Sequence, residues 1–147
     1  DYSALYNIVY CFEILEQNDK AIDYLNTYLN SNPYCEVAWH QLGKQYLIFK
    51  NYVNAISAFD FAIISDEYFV GAYIEKGTAL EKINKYNEAI ENYKLIIALK
   101  DESSYPLLRM GIFYDKIGNY KKAIQNFNDC VKIDPQLNKA WYILAKI

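Results

Sequence analysis

The sequence has almost none of the residues from which catalytic and metal sites are usually built. It contains one histidine, His40, one arginine, Arg109, one methionine and three cysteines. A single imidazole leaves no second histidine for a metal ligand set, and no nucleophile–base pair is in sight. Cys11, Cys35 and Cys130 are odd in number, widely spaced and free of any C-x-x-C. That excludes a disulfide framework and a cysteine zinc site. It suits a reducing compartment, and we expect a cytoplasmic location. There is no glycine-rich phosphate loop, no H-E-x-x-H, no EF-hand loop and no N-x-S/T sequon. Basic residues are not in excess: the formal net charge is −3, which lacks the electrostatic footprint for gripping a nucleic-acid backbone. No apolar run approaches the roughly 18 to 20 residues needed to span a bilayer. The longest local run is Leu95-Ile96-Ile97-Ala98-Leu99. The expectation is a chain with no catalytic residues, no cofactor, no metal, no nucleic-acid partner and no membrane span.

What the chain does have is a core and a period. Hydrophobic residues make up 53% of the 147, enough to bury a sizeable interior. Trp39, Tyr73, Leu107 and Trp141 stand 34 residues apart, as do Gly43, Gly77, Gly111 and Ala145. Ala21, Ala55, Ala89 and Ala123 keep the same interval, each followed by isoleucine. A fixed period of this length is the mark of stacked helix–turn–helix units. The frame without gaps is 2–35, 36–69, 70–103 and 104–137, with 138–147 opening a fifth unit. Nine helices follow, the ninth truncated. The chain begins at Asp1 and stops at Ile147 in mid-pattern, so we expect a single repeat domain over 1–147 that is a piece of a longer protein.

Breaks within units are expected at Gln17-Asn18, Lys50-Asn51, Asn84-Lys85 and Gly118-Asn119, since Asn and Gly tolerate the left-handed turn that ends a helix. Between units, Asn32-Pro33 and Asp134-Pro135 place a capping side chain before a proline, which suits the first position of a helix. Asp66-Glu67 and Asp101-Glu102 hold the corresponding junctions without proline. Gly43, Gly77 and Gly111 sit in mid-helix, where glycine costs about 0.5 to 1 kcal/mol against alanine. A repeated cost at one register implies that the facing helix comes too close for a larger side chain. The alanines of the second helices are the expected complement, and Val9 breaks the rule in the first unit.

These residues carry a family resemblance. Trp39, Leu42, Gly43, Tyr46, Ala55, Phe59 and Ala62 give W-x-x-L-G-x-x-Y followed by A, F and A, lacking only the final proline. The fourth unit has Gly111, Tyr114, Ala123, Phe127 and Pro135, with Leu107 and Cys130 as substitutes. The first and third units are more degenerate. The pattern resembles the tetratricopeptide repeat over essentially the whole chain. The resemblance implies an all-α fold, an α-solenoid wound as a right-handed superhelix of four tandem repeats plus a truncated fifth first helix. It also implies that extended peptides or partner segments bind a concave groove lined by the first helices.

Carried onto this sequence, the groove positions include Tyr6, Asn7 and Tyr10 in the first unit and His40, Gln41 and Lys44 in the second. The third supplies Ile74, Glu75 and Thr78, and the fourth Tyr105, Arg109 and Ile112. Within each unit they share one helix face, distinct from the Trp39, Leu42, Gly43 and Tyr46 stripe. The full lining mixes four basic groups (Lys44, Lys82, Arg109, Lys116) with four acidic ones (Glu13, Glu75, Glu81, Asp115). A ligand with apolar anchors and a few mixed charges therefore fits better than a polyanion or polycation. Asn7, Gln41 and Thr78 would hold its backbone. The carboxylate-clamp subtype, which binds C-terminal tails of heat-shock chaperones, needs Lys and Asn, then Asn, then Lys and Arg on successive first helices. The first three units offer Tyr6, Tyr10, Gln41, Gly71 and Glu75; one unit on, His40, Lys44, Glu75, Tyr105 and Arg109. Only Arg109 matches and Glu75 repels a carboxylate, so the clamp is not expected.

Each of these positions also has a plain reading. Sixteen tyrosines among many Asn, Ile and Lys are what AT-rich codons favour, so one tyrosine is a weak sign of binding. Tyr52, Tyr86 and Tyr120 share a register that fits packing between repeats, and His40 could be a solvated surface residue. Overall the residues point to a non-catalytic interaction scaffold with a protein or peptide partner. The alternatives are a structural spacer that self-associates through uncapped solenoid ends, or the targeting arm of a protein whose catalysis lies elsewhere.

Overall fold

The computed structural model describes residues 1–99 and 102–147. Among these, the chain forms nine α-helices and no strand. The first helices of the repeats are α1 (Ser3–Ile14), α3 (Glu36–Ile48), α5 (Val70–Lys82), α7 (Ser104–Lys116) and α9 (Asn138–Lys146). The second helices are α2 (Asn18–Ser31), α4 (Tyr52–Ser65), α6 (Tyr86–Ala98) and α8 (Tyr120–Ile133). This is the helical-repeat class expected of the 34-residue period. The helices gather into two compact units, Asp1–Ala79 and Leu80–Ile147, with the boundary inside α5.

The turn inside each repeat is built the same way four times. Glu16, Lys50, Asn84 and Gly118 have φ of 54°, 56°, 60° and 78°. The next backbone N–H returns to a carbonyl five residues back: Gln17 to Phe12, Asn51 to Tyr46, Lys85 to Leu80 and Asn119 to Tyr114. That is a Schellman closure, which satisfies the last carbonyls of a helix. Only Gly118 adopts this backbone without the steric cost of a Cβ. The first break therefore lies at Glu16-Gln17, one residue before the expected Gln17-Asn18, and this places it on the period. The side chains of Asn51 and Asn119 then cap α4 and α8, accepting from the N–H groups of Asn54 and Lys122 at 3.3 Å.

The junctions between repeats differ from expectation. Asn32, Asp66 and Asp134 end the preceding helices instead of starting the next ones. Pro33 and Pro135 lie in the turn, three residues before α3 and α9 begin. Proline suits a site just past a helix end because it cannot continue the helix. Its carbonyl is then free to accept: Trp39 Nε1 donates to Pro33 O at 2.8 Å and Trp141 Nε1 to Pro135 O at 2.9 Å. Tyr73 Oη donates to Glu67 O at 3.0 Å at the same register. The recurring aromatic thus pins the turn behind it, which Leu107 has no donor to do. Asp101 lies outside the described residues.

Glycine and a ring make the core contact. A Cβ on Gly43 would fall 2.4 Å from the Phe59 ring, and one on Gly111 would fall 2.6 Å from the Phe127 ring. Both phenylalanines are fully buried. The complement of each glycine is therefore the ring four residues beyond the recurring alanine, Ala55 or Ala123. The alanines Ala21, Ala55, Ala89 and Ala123 are themselves completely buried. Val9 is explained by the same pairing, because the first unit has Leu25 at the phenylalanine register and both residues belong to one buried cluster. A larger residue on the first helix goes with a smaller one on the second. In the second compact unit, Tyr86 stacks on Phe113 with centroids 5.9 Å apart, so it packs against the next repeat, whereas Tyr120 is exposed. Trp141 and Tyr142 of α9 are also exposed.

Gly43→Ala should lower the unfolding free energy by about 1 to 3 kcal/mol through overpacking. Combined with Phe59→Leu, which empties the notch, the double variant should lose clearly less than the sum of the two single variants in urea melts. Strict additivity would contradict the pairing.

Candidate binding cleft

The first helices of the first two repeats, α1 and α3, border an open cleft of about 340 Å³. Tyr6, Asn7, Val9, Tyr10 and Glu13 line it from α1, and Gln41 and Lys44 from α3. The spacing of three and four residues puts each set on one helix face. Val9 is buried and Tyr10 stands 61% exposed. One end of the cleft is braced by Gln45, which is fully buried. Its Nε2 donates to Glu13 Oε1 at 2.7 Å, and its Oε1 accepts from Asn18 Nδ2 at 2.9 Å. That network ties α1, α2 and α3 together and engages one Glu13 oxygen. Gln45 was not among the expected site residues, although one polar residue at a register otherwise held by Cys11, Ala79 and Phe113 was a signal.

Gln41 is treated differently from Gln45. It is only 6% exposed and lines the cleft, yet among the described residues no hydrogen bond engages its amide. Lys44, one turn further on, has no carboxylate within ion-pair distance among the described residues.

Of the six expected positions on α1 and α3, only His40 lies away from the cleft. Its ring packs edge-on to Phe69 at 4.8 Å and tilted against Phe59 at 5.8 Å. A Cβ on Gly71 would lie 3.7 Å from its Nε2. Both ring nitrogens are sealed from solvent and have no hydrogen-bond partner. Burial, aided by the Lys44 ammonium, lowers its pKa to about 4.

On α5, Ile74, Glu75 and Thr78 are half-buried. Thr78 Oγ1 donates to the Ile74 carbonyl at 3.2 Å, so its donor is already used within the helix.

In the second compact unit, Tyr105 sits edge-on to the buried Tyr93 at 6.0 Å. Tyr93 has its pKa raised by burial, then by Tyr105. Arg109 is ion-paired with Glu81 and lies 5.1 Å from the Phe113 ring centre, while Lys116 reaches the other Glu81 oxygen at 3.2 Å. Ile112 is half-buried. Two of the four expected basic groups are thus engaged by one of the expected acidic ones, a pairing across 28 and 35 residues that no local spacing announces. Among the described residues no cluster of His, Cys, Asp or Glu could hold a metal ion, and no helix is long and apolar enough to cross a membrane.

A model described as a tetratricopeptide repeat matches residues 2–35, 70–103 and 106–137, more than half of the chain. The chain belongs to the tetratricopeptide repeat family. The matched segments are the first, third and fourth units, so the two units that departed more from the motif are recognisable as repeats. No curated protein sequence matches the chain. Among solved structures it is similar to a crystal structure of MamA, with 24% identity and a TM-score of 0.81 over 90% of this chain and 78% of that one. A MamA structure from Desulfovibrio magneticus RS-1 gives 21% and 0.82 over 96% and 80%. The first TPR of Spaghetti (RPAP3) bound to the HSP90 peptide SRMEEVD gives 18% and 0.69 over 76% and 88%. At these identities the likeness is one of fold.

The depressed His40 pKa makes this repeat array acid-sensitive. The folded imidazole stays neutral down to about pH 4, while the unfolded one protonates near its ordinary 6.5. Between these values the unfolded chain binds more protons, so this contribution to stability is present above pH 6.5 and lost as pH falls through 4. Against the wild type, His40→Leu should gain relative stability steadily across that window in pH-dependent urea melts. Parallel curves would show that the ring titrates normally.

Proposed function

We propose that this chain is a non-catalytic interaction scaffold that holds an extended segment of a protein partner in the α1–α3 cleft. The observation that carries the reading is Gln41, only 6% exposed and lining the cleft, with an amide that no hydrogen bond engages among the described residues. A primary amide offers one acceptor and two donors, which matches a peptide main chain. Tyr6 and Tyr10 supply rigid, amphipathic contact area on the opposite wall. Asn7 adds a second polar contact.

The neighbour solved with an HSP90 peptide supports peptide binding by this fold. Its ligand class does not carry over. Arg109, the only residue here that fits a carboxylate clamp, is already paired with Glu81. Tyr105 and Ile112 are further candidate contacts within the second compact unit, and Ile74, Glu75 and Thr78 on α5.

Immobilised wild-type chain should be compared with a Tyr10→Ser, Gln41→Leu, Lys44→Gln variant as bait. A Tyr34→Ser, Tyr68→Ser variant, altered at two exposed turn residues, serves as control. The cleft variant should lose at least one captured protein by tenfold or more while the control keeps it. Identical captured sets for all three baits would contradict the cleft reading.

A further inference from the structure

We infer that the cleft is selective for a segment carrying a carboxylate side chain with a large apolar side chain two residues away, lying lengthwise between α1 and α3. The inference rests on the scaffold reading and adds the chemistry of the ligand.

The sign of the charge comes from which groups are already satisfied. Glu13 keeps its charge but is held at the braced end of the cleft, one oxygen accepting from Gln45, a turn away from where Gln41 lies on α3. In the second compact unit Arg109 and Lys116 share Glu81, and on α5 Lys76 is paired with Asp60 at 2.6 Å. Among the described residues Lys44 has no such partner, and it lines the cleft together with Gln41, whose amide no hydrogen bond engages there. A carboxylate that enters next to Gln41 is therefore met by an ammonium. A ligand ammonium at the same point would be repelled. Such partly desolvated complementarity decides between partners more than it adds raw affinity.

The spacing comes from the helix. One turn beyond Lys44 lies Ile48, and Ile14 holds the same register of α1. They are 54% and 64% exposed. Four residues along a helix are about 6 Å. Two residues along an extended chain are about 6.6 Å, and their side chains leave the same face. A carboxylate on Lys44 thus places the side chain two residues away over Ile14 and Ile48. The lining extends from Tyr6 to Glu13 along α1, about two helical turns, so the segment runs along the helices.

The test is a ¹H–¹⁵N NMR titration of the whole chain with acetylated, amidated Ala-Ala-Glu-Ala-Leu-Ala-Ala, the reversed order Ala-Ala-Leu-Ala-Glu-Ala-Ala, and their Glu→Gln and Glu→Lys relatives. At least one Glu peptide should shift the Gln41 side-chain amide together with Tyr10 and Ile48. It should bind about fivefold or more tighter than its Gln relative, and the Lys relative should be weaker still. In Lys44→Glu the order should reverse, with the Lys peptide binding best. Equal binding of Glu, Gln and Lys peptides in the cleft would overturn the inference and leave the scaffold reading standing. Shifts confined to residues outside the cleft, or no shift with any peptide, would also overturn it. The scaffold reading then survives only if capture still depends on Tyr10, Gln41 and Lys44.

Discussion

Phe59 fills the space that Gly43 leaves open, and the α3–α4 hairpin is organised around that contact. A glycine in mid-helix is costly, but here it admits an aromatic ring to a depth no Cβ would allow. The same contact recurs between Gly111 and Phe127, and the Val9 and Leu25 pair is its variant in the first repeat. Interiors are close-packed, so one register of large and small residues fixes the separation of the helices. Once that face of a first helix is committed to its own hairpin, the opposite face is left to neighbouring first helices and to solvent. The cleft between α1 and α3 is the consequence.

Within α3, two glutamines four residues apart show how that face is divided. Gln45 is fully buried and both ends of its amide are bonded, which makes it a brace. Gln41 is almost as buried, but it lines the cleft and its amide has no partner among the described residues. A side chain packed on most sides whose amide is left to the cleft can meet a ligand main chain without breaking any bond of the fold. Lys44 extends the same logic to charge.

The helical-repeat fold, with nine helices among the described residues, was legible in the sequence, because it follows from residues that recur at one register. The closure at Glu16 was misplaced by one residue because neither Glu nor Gln signals a left-handed turn; the period itself located it better than the residue types did. Pro33 and Pro135 were misread as helix starts, since proline serves either side of a helix boundary and only the tryptophan bonds to their carbonyls decide which. Five of the six positions expected on α1 and α3 line one cleft. His40 does not, because Phe59 and Phe69 offer its ring an apolar seat that helix periodicity does not reveal. Arg109 looked available for a ligand because its partner, Glu81, is distant in sequence.

The central claim is that the Gln41 amide is held for a partner and contributes nothing to the free chain. The most direct measurement is the unfolding free energy of Gln41→Leu, a change close to isosteric that removes only the amide. The variant should be as stable as the wild type to within about 1 kcal/mol, because among the described residues no hydrogen bond to the amide is lost. A loss of more than about 1 kcal/mol would mean that the amide already makes bonds that hold the fold together, and Gln41 would then be a structural residue like Gln45.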